Sequence, residues 1–492
     1  MTEQHYIACD LGAESGRVLL GTLSEDHITI EEVHRFPNGG VDIDGSLRWD
    51  IGRIFDELKS GLRLVARRKI QIESISCDSW GVDYVLLDDE GGMHAPPYHY
   101  RDSRTNDAFE KAFRVVPADA IFSETGIQFM PINTLYQLHA DLSDRPSPLK
   151  ATGAFLMIGD YFNFLLSGVS KAEESLASTS QLYNPRLRCW SASLIQDFEF
   201  PPRIFPDVVP SGTVLGPLLP AIAEEVGLVQ TIVVASCSHD TGAAVAAVPG
   251  SADGWAYLSS GTWSLLGVEV SRPIITQKSR AYNFTNEIGY GGSIRFLKNI
   301  VGLWVLQECR RAWANEGNEY SYDELTRIAG MASPLQSMVD LTDQRFMKSE
   351  NMPRKIIDYC RETNQPIPAS TGEIVRCVLE SLALSYRRTL EQLEDATGQP
   401  IATLHIVGGG SKNRLLNQLS ANATGRSVVV GPVECTGIGN VLVQALALGH
   451  LPKLQAARSI VRSSFTPERF EPLDGDLWRE AYRKFDQLSQ HL

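Results

Sequence analysis

No apolar run in this chain approaches the roughly 18 residues that a membrane-spanning helix requires, so no transmembrane segment is expected. The first residues carry Glu3, Asp10 and Glu14 in place of a basic stretch followed by an apolar one, and no secretory signal is expected there. Basic charge is also scarce. Lys and Arg number 45 against 59 Asp and Glu, a formal net charge of −14. That balance argues against a nucleic-acid binder, which presents a basic face. A phosphorylated ligand held by backbone N–H groups and a divalent cation stays open. The eight cysteines show neither CxxC nor CxxH spacing, so neither a metal centre nor a disulfide framework is expected. Cys9, Cys77 and Cys237 sit in apolar surroundings and read as packing residues, and Cys360 and Cys377 are expected to stay reduced. The motif G-x-x-x-x-G-K-[ST] is missing, which excludes a P-loop protein. These absences together lead to the expectation of a cytoplasmic protein.

What remains is an ordinary globular composition, 43% hydrophobic and 21% charged over 492 residues, enough for two to four domains. Near the midpoint, Thr231-Ile-Val-Val-Ala235 has the β-branched run of a strand buried on both faces. It breaks at Ser238-His239-Asp240, and the small residues from Thr241 to Val248 read as a helix that another backbone or a ligand can approach closely. Asp240 at that junction has two readings: an N-cap for the helix, or a carboxylate at the C-terminal edge of a sheet, facing a cleft.

The chain opens with two short strands, Tyr6–Asp10 and Val18–Leu23, around the glycine-bearing turn Leu11–Arg17. Gly12 and Gly16 let successive N–H groups cradle phosphate oxygens. Asp10, ending the first strand, is placed to orient the water shell of Mg²⁺. A third strand is expected over 28–36 and a helix over 50–66. Residues 72–88 read as two strands around Trp80-Gly81, where Gly81 permits close approach and Trp80 is either core or a platform for a sugar. Asp83 is open to the same two readings. In Tyr100-Arg-Asp-Ser-Arg104, two guanidinium groups flank Asp102, either as a surface ion pair or as a clamp for hydroxyls. Gln128 and Asn133 are polar groups in apolar company, satisfied by backbone or available to a ligand. Asp160 reads as a helix cap, and 191–210 as an irregular connection.

The second half repeats the opening. Trp255–Val270 is again strand, Gly/Ser/Thr turn, strand, a spacing that implies duplicated domains. Thr262 is the hydroxyl placed on a phosphate. Arg295–Gln307 reads as an amphipathic helix carrying Asn299 and Gln307. Residues 373–397 form a long helix, and 404–413 a strand running into Gly408, Gly409 and Gly410. Three glycines in a row suggest a backbone pressed against a flat ligand such as adenine, or a flexible turn.

Eight ordered stretches carry a resemblance that none carries alone: DLGAESGR (10–17), DSWGVDYVLLD (78–88), YRDSRTN (100–106), GIQFMPINTLYQL (126–138), SHDTGAAV (238–245), YLSSGTWSLLG (257–267), LKNIVGLW (297–304) and HIVGGGSKN (405–413). The sequence resembles the FGGY carbohydrate kinases, within the superfamily of actin, hexokinase and the Hsp70 ATPase domains. The resemblance covers nearly the whole chain. It implies an α/β fold of two ribonuclease-H-like domains with an active-site cleft between them, 1–243 binding sugar and 244–492 binding nucleotide. It also implies ATP, Mg²⁺ and transfer of the γ-phosphoryl group to a ketose hydroxyl. L-Rhamnulose is the first candidate, with L-fuculose, L-ribulose and xylulose as alternatives. Position by position, Asp240 resembles the catalytic base. Gly81, His239, Asp240, Thr241 and Asn299 resemble sugar contacts. Ala13, Glu14, Ser15, Gly16, Arg17, Thr262, Gln307, Gly408, Gly409 and Gly410 resemble the ATP site, and Asp10 the metal site. Ala13 stands where many members have Thr, Thr134 where a Lys is usual, and Glu14 is expected to point outward. Partners are expected to be the ketose and ATP alone, with no nucleic acid or membrane, in a monomer or homodimer. Non-catalytic alternatives are a sugar-sensing protein on the same fold and an ATPase without a sugar.

Overall fold

The computed structural model describes residues 3–144, 149, 151–250 and 254–488. The chain forms two compact units. The first comprises Met1–Pro249, Glu269–Phe296 and Cys435–Ser464, and the second Gly250–Val268, Leu297–Glu434 and Phe465–Leu492.

The first unit is built on a six-stranded sheet. Gln4–Leu11 lies at its centre, paired antiparallel with Ser15–Leu23 on one side and parallel with Ser74–Ser79 on the other. Ile232–Ala235 continues the parallel set beyond Ser74–Ser79. Ile28–Pro37 and Thr213–Pro217 form the two edges. The central strands are apolar on both faces because helices cover both. One is Ile51–Ala66, started by Asp50, whose side chain accepts from the Arg53 N–H, and buried along Ile51, Ile54, Leu58, Leu62 and Val65. The other face holds Cys435–Ala447 and the short helix Asp240–Ala246, which pack on each other. A Cβ on Gly439 would stand 1.8 Å from the Ala243 carbonyl oxygen, so the small residues after Asp240 do admit a second backbone.

In the second unit Trp255–Ser260 pairs antiparallel with the strand begun at Trp263 and parallel with Thr403–Val407, which pairs parallel with Ser427–Val430. Thr371–Thr397 is its long helix, opened by a Ser370/Glu373 capping box and closed by Gly398 in the left-handed region (φ 70°). Arg414–Thr424 packs beside it.

Three local expectations are corrected. Arg295–Gln307 is not one helix: Ile294–Val301 is a strand, Gly302 breaks the chain, and the helix begins at Trp304. A Cβ on Gly302 would come within 2.7 Å of the Trp263 backbone, so the glycine marks a close strand approach. Asn299 therefore lies on the strand and Gln307 on the helix. Asp160 is not a cap. The N-cap of Ile158–Ser167 is Met157, and the buried Asp160 carboxylate accepts from the Glu173 N–H at 3.2 Å. Within 191–210 a short helix, Ala192–Asp197, is capped by the Ser191 hydroxyl. The two strands expected around Trp80-Gly81 are present and join different sheets: Ser74–Ser79 belongs to the central sheet, while Tyr84–Leu87 pairs with Ala154–Met157.

Candidate active site

Three carboxylates gather at the C-terminal edge of the first unit's parallel strands. Asp10 and Asp78 are partners in strand register. Asp240 follows the third strand, where Ser79 donates its N–H to the Ser238 carbonyl at 2.9 Å and bridges to His239. Parallel strands present their carboxyl ends together, so residues 68 and 162 positions apart share one edge. The junction ahead of Asp240 is held by the buried Glu173, which accepts from Ser175, Leu176, Ser211 and the Ser238 N–H.

Asp240 is the first residue of its helix, whose N-cap is His239. Its Oδ1 accepts from the Thr241 N–H at 2.5 Å and the Thr241 hydroxyl at 3.0 Å, and His239 Nε2 stands 3.4 Å away. The side chain keeps 30% exposure, so the carboxylate is reachable. Burial of the remainder raises its pKa above the ordinary aspartate value. His239 works against the shift, and Asp10 adds to it. Asp78 is different. It is wholly buried, and burial, then the neighbouring Asp10 charge, push its carboxyl well above the usual range. Asn440 donates to Asp78 Oδ2 at 2.5 Å, and Gln444 donates to Asn440 Oδ1 at 2.7 Å and to the Ile7 carbonyl at 2.9 Å.

The Leu11–Arg17 turn closes through Gly12 N–H to the Ser15 carbonyl at 3.0 Å, and Asn38 pins it from outside by donating to the Gly12 carbonyl at 2.8 Å. Gly16 is there for packing as well, since a Cβ would meet the Phe36 ring at 2.2 Å. Glu14 points outward, as expected. Arg17 is ion-paired with Asp10. Among the described residues no cluster of three His, Cys, Asp or Glu side chains is arranged to ligate a metal directly.

Near Gly81 the polar side chains are mostly engaged with the protein. Asp83 accepts from Trp49 Nε1 (2.6 Å), Trp80 Nε1 (3.0 Å), the Tyr100 N–H (3.1 Å) and Gln137 Nε2 (2.9 Å). Burial, offset by Gln137, Trp49, Trp80 and the Arg104 charge, brings its pKa to about 6. Trp80 is buried against Trp49 with ring centroids 4.0 Å apart, so both residues take the core reading. Asp102 accepts from the Leu47 and Arg104 N–H groups, and Arg104 reaches Asp141 and Gln137; the string is an internal brace. Asn133 donates to the Gln128 carbonyl and to Gln181. Gly81 itself is half-buried, with Thr179 Oγ1 3.1 Å from where a Cβ would be.

In the second unit, residues named from separate stretches meet. Gln307 Nε2 donates to Thr262 Oγ1 at 3.3 Å, and the Trp304 N–H donates to the Thr262 carbonyl at 3.1 Å. The three glycines divide by role. A Cβ on Gly410 would stand 2.3 Å from Ser260 Oγ, and one on Gly408, which has φ 85°, 2.9 Å from the Ser260 carbonyl oxygen. Those two are pressed on the protein's own strand. Gly409 faces open space. Asn299 is half-buried on its strand in the same unit.

Sequence reasoning did not single out Asp78, Glu173, Glu287, Arg295, Asn440 or Gln444. Each meets the site only through long-range folding. The one available signal was Asp78, a lone carboxylate in the otherwise uncharged stretch Ser74–Trp80.

The fold is that of two-domain sugar kinases. The protein superposes on xylulose kinase from Lactobacillus acidophilus with a TM-score of 0.80 at 16% identity, over 99% of this chain and 98% of that one. Residues 5–247 match the N-terminal domain, and 256–448 the C-terminal domain, of the FGGY family of carbohydrate kinases; the chain belongs to that family. It is a carbohydrate kinase, and the family implies ATP as phosphoryl donor. It is 41% identical over 483 residues to a rhamnulokinase from Bacteroides thetaiotaomicron (98% of this chain, 99% of the relative). It is 42% identical over 463 residues to one from Oceanobacillus iheyensis (94% and 97%). No helix among the described residues is long and apolar enough to cross a membrane.

Proposed function

We propose that the protein transfers the γ-phosphoryl group of ATP to the 1-hydroxyl of L-rhamnulose, giving L-rhamnulose 1-phosphate in the catabolism of L-rhamnose. The observation that carries the sugar's identity is the pair of rhamnulokinase relatives, at 41% and 42% identity over nearly the full chain. In this reading Asp240 is the general base. It takes the proton of the 1-hydroxyl as the oxygen attacks the γ-phosphorus. Its raised pKa suits a base that must hold a proton briefly. Gly81, His239, Thr241 and Asn299 would contact the sugar. Ala13 to Arg17, Thr262, Gln307 and Gly408 to Gly410 would hold the nucleotide, with the open face of Gly409 toward the adenine. Asp10, at a strand end beside Asp78 in register, would hold an Mg²⁺ ion through its water shell, since such an ion takes few protein carboxylates. When bound, that ion would neutralise charge on the phosphate oxygens.

The test is release of ADP by the purified chain with ATP and L-rhamnulose, L-fuculose, L-ribulose, xylulose or no sugar. Release strongest with L-rhamnulose is expected. Equal release without any sugar would replace this reading with an ATPase.

A further inference from the structure

Two buried charged residues with no assigned role stand behind the base. Arg295 is wholly buried and Glu287 nearly so. The guanidinium is hydrogen-bonded at two points and charge-paired at a third: Nε donates to the Ile288 carbonyl at 3.1 Å, Nη2 lies 3.0 Å from His239 Nδ1, and Nη1 lies 3.1 Å from Glu287 Oε2 without the geometry of a hydrogen bond. Removing such charges from water costs several kcal/mol per ion, so they make poor stabilisers.

A guanidinium has donors only. The nitrogen it faces must accept, and His239 Nδ1 therefore carries no proton. The proton of a neutral ring then sits on Nε2, the nitrogen 3.4 Å from Asp240 Oδ1. Glu287 Oε2 also lies 3.4 Å from Nδ1 and would favour the other tautomer. The guanidinium is closer to Nδ1 and also pairs with Glu287, and this decides the competition. Burial raises the Glu287 carboxyl, but Arg295, His239 and Thr285 together hold the group below the usual value, as expected of an engaged carboxylate. Oδ1 of Asp240 thus accepts from the Thr241 N–H and the Thr241 hydroxyl, with His239 Nε2–H standing 3.4 Å away. No donor among the described residues reaches Oδ2.

We propose that Arg295 is a positioning residue for phosphoryl transfer, itself charge-paired with Glu287: it holds His239 as the Nε2–H tautomer, which with Thr241 faces Asp240 Oδ1 and leaves Oδ2 to take the sugar proton. In that step the sugar O–H bond breaks and its proton passes to Oδ2. The sugar oxygen bonds to the γ-phosphorus, and the bond from phosphorus to the β-phosphate oxygen breaks, releasing ADP. The inference rests on the reading of Asp240 as base.

The experiment is ¹⁵N NMR of the full chain labelled at histidine, at neutral pH without substrate, with His239 assigned by loss of its signals in His239→Gln. Expected is one unprotonated nitrogen, Nδ1, and a protonated Nε2. A protonated Nδ1, alone or with Nε2, would overturn the proposal, and this readout needs no charge-altering variant to fold. Arg295→Met is expected to move the proton toward Nδ1. It should also lower kcat for L-rhamnulose about ten- to a hundredfold, the scale of a misplaced reacting group, with KM for ATP unchanged. Glu287→Gln, which keeps the Arg295 contact, should retain the tautomer and most of kcat. A folded Arg295→Met with wild-type kcat would sink the positioning role. Lack of sugar-dependent ADP release by the wild type would instead sink the kinase reading, whatever the tautomer.

Discussion

Replacing Asp240 by Asn keeps the side chain's shape and the oxygen that Thr241 holds, and removes little besides basicity. General bases contribute about 10²–10⁴-fold. Asp240→Asn should therefore slow turnover by that range, about 3–5 kcal/mol in barrier at 1.36 kcal/mol per decade, while thermal unfolding stays unchanged. Steady-state ADP release checks it, and a variant within tenfold of wild type would reduce Asp240 to an acceptor for its local N–H. The same carboxylate sets a pH dependence. A base acts ionised, and burial raises the Asp240 pKa, so kcat/KM should be full above that raised value and fall as pH drops through it. The midpoint of the acid limb should lie above the ordinary aspartate value of about 3.9. An acid limb at or below that value, in a kcat/KM profile with L-rhamnulose, would mean that the titrating base is some other group.

At the scale of elements, the glycines at 408–410 separate packing from binding. Gly410→Ala puts a methyl 2.3 Å from Ser260 Oγ and 2.9 Å from its carbonyl, so the strand end must shift. Overpacking of this kind costs roughly 1–3 kcal/mol, and both melting temperature and activity should fall. Gly409→Ala meets nothing within 4 Å and has no left-handed φ. Its melting temperature should hold while KM for ATP rises, if that face takes the adenine. Unchanged KM for ATP in folded Gly409→Ala would remove Gly409 from the nucleotide site. These local patterns were legible because turn chemistry and periodicity are written in neighbouring residues: the hairpin at Leu11–Arg17, the strand before Ser238 and the long helix to Thr397 follow from sequence. The helix expected over Arg295–Gln307 was not legible. Phe296 with Ile300, and Leu297 with Val301, satisfy helical spacing, yet strand pairing and the Gly302 close approach override it. Trp80 and Asp83 were ambiguous for a related reason, because only the fold brings Trp49, Tyr100 and Gln137 onto the Asp83 carboxylate. The Arg295–Glu287–His239 cluster spans 56 positions, and no local rule joins its members.

At the scale of the whole molecule, the candidate residues fall in both compact units, and each ligand should protect its own set. Gly81, His239, Asp240 and Thr241 lie in the first unit with the Leu11–Arg17 hairpin; Thr262, Asn299, Gln307 and Gly408 to Gly410 lie in the second. A ligand stabilises the state it binds by RT ln(1 + [L]/Kd), about 2.7 kcal/mol at a hundredfold excess over Kd. Amide hydrogen exchange resolves where that stabilisation falls, because local openings have their own free energies. A non-hydrolysable ATP analogue alone should slow exchange at the Leu11–Arg17 turn and over 261–263 and 408–413. L-Rhamnulose alone should slow it at 80–82 and 238–242. If the analogue protects only the first unit, or the sugar leaves 238–242 unprotected, the assignment of residues to ligands is wrong even where the enzyme phosphorylates L-rhamnulose. Protection of both sets by their separate ligands would tie the chemistry to the strand-end carboxylates, because the sugar-protected amides include the Thr241 N–H that Asp240 Oδ1 accepts.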